Sequence, residues 1–152
     1  MKQQRVDPGW AWTKKINISA GAKLGDTVYL SGICSLDEAG NVVAKGDVYG
    51  QSKRTFANIE EALASAGATM ADVVKITTYL TDISTYADFA KARTEAFPGG
   101  VPASTAVATP GPGHARAVGR GRSHGGHRQR KLTRLKCGKR ARHDTGSIAA
   151  PS

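Results

Sequence analysis

The spacing of hydrophobic and polar positions changes several times along the first 109 residues, and each change outlines an element. Over residues 14–23, Ile16, Ile18 and Ala20 alternate with polar neighbours, the period of a half-buried strand. Gly25 and Asp26 supply turn chemistry for a hairpin. Residues 27–33 are β-branched and aromatic and read as the returning strand. Residues 37–41 make a second turn, with Val42 and Val43 as a short strand behind it. Over residues 48–66 the period becomes helical. Phe56, Ile59 and Leu63 recur at i, i+3 and i+7, and Ala62 and Ala66 fill the same stripe. Gly67 is placed to cap the helix C-terminus. Residues 73–81 read as a strand. Residues 86–97 read as a second amphipathic helix with Phe89, Ala90, Arg93 and Phe97 near one side, and with Ser84 or Thr85 as its N-cap. Pro98, Gly99 and Gly100 end that helix, and residues 102–108 open another strand.

The order is β-β-α-β-α-β, which suits an α+β domain with two helices on one face of a mixed sheet. The uncovered face of such a sheet is expected to be closed by oligomerisation.

Charge divides the chain near Thr109. Residues 1–109 hold eleven Lys and Arg against eleven Asp and Glu, whereas residues 110–152 hold eleven Lys and Arg against the single acid Asp144. The formal +10 therefore belongs entirely to the tail. All nine aromatic residues precede the break and all four histidines follow it. Residues 1–109 are expected to be the folded domain and residues 110–152 a disordered, basic, low-complexity tail. Cys34 and Cys137 make no disulfide framework, no apolar run is long enough to cross a bilayer, and the N-terminus lacks the apolar run of a signal peptide. A cytoplasmic, reduced protein with no membrane association is the expectation.

Several segments resemble the RidA/YjgF family of reactive enamine/imine deaminases, also called the L-PSP endoribonuclease-like family. They are GDTVYLSG, DEAGNVVAKGD, the helix with Gln51 and the run from Asn58 to Ala68, DVVKITTYLTDIS, and P-A-S-T from Pro102 to Thr105. The match covers about residues 14–109. The resemblance implies a chorismate-mutase-like α+β fold, homotrimers with ligand clefts between subunits, and hydrolysis of reactive enamines or imines to carbonyl compounds and ammonia. It implies no metal and no organic cofactor, and a small-molecule ligand as partner.

After P-A-S-T the family's chain continues into a last strand of the type L-V-E-I-E-A-I-A, and this chain does not. Gly111 to Arg128, back-translated with permitted synonymous codons and read with one base removed, gives G-L-A-T-P-E-L-L-V-E-V-E-A-M-A-V-I. Residues 112–152 are therefore expected to be a frame-shift product, with the family's last strand missing or replaced. A sheet lacking that strand would carry an unpaired edge, and the chain is then expected to be poorly soluble or to trimerise weakly. The rival reading is a genuine arm that binds RNA through its Arg, Gly and His content. It has no aromatic residue for base stacking.

The candidate site residues follow from the resemblance. Ser31, Gly32 and Ile33 follow the second strand and would line the cleft, as would Thr105 and Ala106. Ser104 stands where the deaminases carry an Arg that holds a substrate carboxylate; serine offers one neutral hydrogen bond and no charge. Arg93 falls near a cleft Asn of the family and can supply that cation from another wall. The bland readings are a strand-end glycine, ordinary strand residues, and a helix Arg lying over an apolar stripe. The body has no His, so Cys34 lacks a partner base and reads as a small packed residue. Asp37, Glu38, Glu60, Glu61 and Asp82 read as solvated. His114, His124, His127 and Cys137 match no usual zinc spacing, and the glycines near Gly119 and Gly121 follow no strand. Because the family's cleft Glu belongs to the missing strand, a non-catalytic small-ligand binder is the alternative function.

Overall fold

The computed structural model describes residues 2–109 and the backbone of residues 132–138. The strands are β1 (Gln4–Val6), β2 (Gly21–Leu24), β3 (Thr27–Leu30), β4 (Val73–Leu80), β5 (Ala103–Ala108) and β6 (Leu132–Gly138). The helices are α1 (Ala11–Lys15), α2 (Val48–Ser65) and α3 (Tyr86–Ala96). The strands form one mixed sheet in the order β1-β2-β3-β6-β4-β5. Only β4 and β5 run parallel; the other neighbours are antiparallel.

α2 starts where Asp47 accepts the amide of Gly50 at 3.0 Å, an N-cap bond that satisfies an otherwise orphan donor. It ends at Gly67, whose φ of +74° is the left-handed conformation that glycine adopts without a Cβ penalty. The predicted stripe is buried: Phe56, Ile59, Ala62 and Leu63 face the sheet and α3. Phe56 stacks on Phe89 at 6.2 Å and meets Phe97 edge-on at 5.6 Å, which locks α2 to α3. From the sheet, Val28, Leu30, Ile76 and Leu80 close the same core, with Ile33 from the segment after β3. Each fully buried Ile, Leu or Phe here contributes roughly 1.5–3 kcal/mol.

The expected strand at residues 14–23 is corrected at its N-terminal half. Residues 11–15 form α1, and amides of Ile16, Asn17 and Ile18 bond back to Trp12, Lys14 and Thr13 carbonyls, closing that helix with a turn. Ile16 is 56% exposed, and of the alternating trio only Ala20 is buried. The strand begins at Gly21, where a Cβ would lie 2.5 Å from the Tyr29 carbonyl oxygen. The short strand at Val42 reduces to one bridge with Leu36. The expected cap of α3 is also displaced: Asp82 accepts the Ser84 amide at 2.9 Å and caps a tight turn over Ile83–Thr85, while the Thr85 side chain caps nothing.

The place of the missing strand is filled. β6, drawn from the basic tail, lies between β3 and β4, with Tyr29 opposite Lys136 and Thr77 opposite Arg134. The family strand is thus replaced, and the expected unpaired edge next to β3 and β4 does not exist. The expected disorder of residues 110–152 is corrected at Leu132–Gly138, which forms β6; the readings of the rest of the tail, the histidine spacing, Gly119 and Gly121 concern residues outside those described.

Candidate functional site

Alternation along β5 divides its side chains between two surfaces. Ser104 and Ala106 stand opposite Ile76 and Thr78, both buried. Thr105 is exposed on the other face, where its hydroxyl takes a 2.6 Å hydrogen bond from Lys75 Nζ. The three adjacent candidates therefore do not form one surface: Ser104 and Ala106 belong together, and Thr105 points away from them.

Ser104 has a partner from α3. Arg93 Nη1 donates to Ser104 Oγ at 2.9 Å, and a longer contact of 3.4 Å reaches the Tyr86 hydroxyl. The guanidinium carbon lies 5.4 Å from the Phe89 ring centre and 5.9 Å from that of Tyr86, within cation–π range. Arg93 Nε is buried and has no hydrogen-bond partner. Neither ion pair among the described residues, Lys53–Glu95 or Arg54–Glu61, involves Arg93. The result is a charge held against rings with unused donor capacity, beside a hydroxyl on β5. Such an arrangement can take a carboxylate or another small oxyanion.

The second candidate wall follows β3. The Ser31 amide donates to the Ala20 carbonyl at 2.9 Å and its hydroxyl donates to the Ser19 carbonyl at 2.8 Å. Ser31 and Gly32 are half-buried, whereas Ile33 is wholly inside the core. Behind them α2 holds the loop with side chains the hydrophobic pattern did not single out. Asn58 Nδ2 donates to the carbonyls of Cys34 and Leu36, both at 2.9 Å, and Arg54 Nε donates to Leu36 at 3.0 Å. Gln51, Ser52, Thr55 and Asn58 are all buried. Ser52 and Thr55 donate to the Val48 and Gln51 carbonyls of their own helix, whereas Asn58 reaches the loop, so the buried amide inside an apolar stripe is the signal that a loop is bonded there.

The two walls lie apart within one chain. β3 and β5 are separated by β6 and β4, so three strand spacings put them about 14 Å apart.

The acids lie elsewhere. Asp37 accepts both the side chain and the amide of Asn41, and these bonds hold its carboxyl below the usual range. Glu61 accepts the Trp10 indole N–H at 2.9 Å, a bond between the N-terminal segment and α2 that spacing does not reveal. Among the described residues no group of three His, Cys, Asp or Glu side chains is assembled, and no helix is long and apolar enough to cross a membrane.

The family model described as endoribonuclease L-PSP matches residues 13–111. The chain belongs to the RidA/YjgF (endoribonuclease L-PSP) family. A RutC family protein of Pyrococcus abyssi is 36% identical over 89 residues, covering 59% of this chain and 70% of that protein. Solved structures share the fold. A YjgF/YER057c/UK114 family member from Mycobacterium tuberculosis superposes with a TM-score of 0.68 at 22% identity, covering 91% of this chain and 100% of that one. RidA from the Antarctic bacterium Psychrobacter sp. PAMC 21119 gives 0.66 at 23% identity, covering 80% and 87%. In this RidA-family chain, position 104 is Ser and position 93 is Arg, and the two side chains touch.

Proposed function

We propose that the chain hydrolyses small reactive enamines or imines, with Arg93 supplying the cation that position 104 lacks. The observation that carries this reading is the 2.9 Å bond from Arg93 Nη1 to Ser104 Oγ. It brings a guanidinium from α3 to the β5 position whose own residue is uncharged. An acidic group on the substrate would pair with the open donors of Arg93. Water then adds to the iminium carbon, the carbinolamine loses ammonia, and a carbonyl compound leaves. The protein's share is orientation and electrostatic stabilisation.

The separation of the Ser31–Gly32 wall from Ser104 favours a complete site built between subunits, with a homotrimer as the assembly. Light scattering tests the assembly. The activity is tested by generating an amino-acid-derived imine in situ and following its loss with and without protein. Faster loss that falls in Arg93→Ala supports the proposal, and an unchanged rate with the parent chain refutes it.

One observation favours a second reading, a non-catalytic ligand binder. Among the described residues no carboxylate is bonded to Arg93 or Ser104, so no carboxylate is held there as general acid or base, and the Tyr86 hydroxyl at 3.4 Å is the titratable group bonded to Arg93. A ligand-dependent rise in Tm without hydrolysis selects this reading.

A further inference from the structure

A pocket of about 370 Å³ lies where β1, α1 and the turn into β2 meet, away from Arg93 and Ser104. Its size falls in the lower part of the range of small-molecule sites, roughly 300–1,000 Å³. Arg5, Asp7, Lys14, Asn17, Ile18 and Ser19 are among its lining residues. Two cations thus face one acid. Asp7 Oδ1 accepts the Gly9 amide at 2.9 Å and closes its own turn, and its charge leaves the two cations with a net +1. Arg5 and Lys14 take part in neither ion pair found among the described residues. Asn17 has a left-handed φ of +52°, uncommon for a residue with a side chain; its backbone amide donates to the Lys14 carbonyl, which leaves its side-chain amide for a ligand. Ser19 Oγ lies 2.6 Å from the Gly21 carbonyl and 3.0 Å from that of Val6, so its proton is spent on the main chain. What remains open is two positive groups and an amide. Beside them is the partly exposed Ile18 side chain.

We propose that this pocket binds a small organic anion, its carboxylate or phosphate paired with Arg5 and Lys14 and its apolar part against Ile18. The chemistry is unlike that of the Arg93 site, where the cation lies against aromatic rings. The inner rim is nonetheless tied to the Ser31 wall, because Ser31 donates to the Ser19 carbonyl at 2.8 Å. An occupant would therefore be reported at Ser31 as well as at its own lining.

The full chain is titrated with benzoate and, separately, with phenyl phosphate, while the amides of Asn17, Ile18, Ser19 and Ser31 are followed by NMR. Saturable shifts at these amides are expected with at least one probe, and the better probe identifies the preferred anion. In the double variant Arg5→Gln/Lys14→Gln the affinity should fall by at least about tenfold, the loss of one or two charge-assisted hydrogen bonds. Both side chains are exposed, so the variant is expected to keep the parent spectrum elsewhere and its imine hydrolysis. Shifts confined to the surroundings of Arg93, non-saturating shifts, or equal affinity in the double variant would overturn the proposal. Because hydrolysis is read separately, its failure leaves this test intact.

Discussion

Arg93 draws its meaning from its neighbours. A helix Arg over an apolar stripe ordinarily sends its head into water, but here the guanidinium lies on Phe89 and Tyr86 and bonds Ser104. Arg93→Ala is expected to weaken binding of a carboxylate-bearing ligand by about tenfold to a hundredfold, with calorimetry as the measurement. The reciprocal variant Arg93→Asn/Ser104→Arg returns the charge to β5 and should recover most of that loss; no recovery would show that the two positions are not interchangeable. A second prediction concerns Glu95. The hydrogen bond from Tyr49, with Lys53 adding to it, holds its carboxyl below the ordinary value of 4.5. A lowered acid stabilises the fold above the unfolded-state value, and loses that contribution as pH falls through the folded one. Tyr49→Phe should move the Glu95 midpoint upward towards 4.5, as followed by NMR titration. An unmoved midpoint would assign the shift to the lysines instead.

At the scale of elements, α2 and β4 were legible because their apolar positions are numerous and strictly spaced. The first twenty residues were not. The alternation at Ile16 and Ile18 imitates a strand, yet those side chains are exposed, and the backbone there turns back onto α1. What sets the strand's start is the close approach of Gly21 to Tyr29, a long-range fact that local spacing does not carry. The polar stripe of α2 was hidden for a related reason, since Asn58 and Arg54 act on carbonyls more than fifteen residues away. The Arg93–Ser104 pair was half legible: both residues stood out in sequence, but only the folded chain brings the α3 side chain within a hydrogen bond of β5. Asn58→Leu leaves the Cys34 and Leu36 carbonyls without these donors and should cost about 1–3 kcal/mol in denaturant unfolding. Its hydrogen exchange should rise first in the loop after β3. A fully protected loop would mean that those carbonyls had found other donors.

For the whole molecule, β6 decides continuity, because it joins β1-β2-β3 to β4-β5. A chain ending at Thr109 would lose both ladders of β6 and leave inner edges of β3 and β4 unpaired. It is expected to lose cooperative unfolding in a thermal scan; a sharp transition like the parent's would show that the two halves need no bridge. We further propose that the tail arises from a frame shift. A chain repaired by one base would then offer V-E-V-E-A-M-A to the same slot. That strand is richer in β-branched residues than Leu132–Gly138, and the repaired chain should melt higher. An equal or lower Tm would count against the frame reading.

The place of β6 also sets an order in time. The strand that occupies the middle of the sheet is the last of the six to leave a ribosome. Until it emerges, β3 and β4 can each gather the partners already synthesised but cannot be joined to one another. The nascent chain must wait with two open, apolar-sided strand edges, and completion requires closing the long connection from β5 to β6, a slow step of high contact order. Anything that shields those edges during synthesis, rather than anything that stabilises the finished fold, would then set how much intact protein a cell obtains.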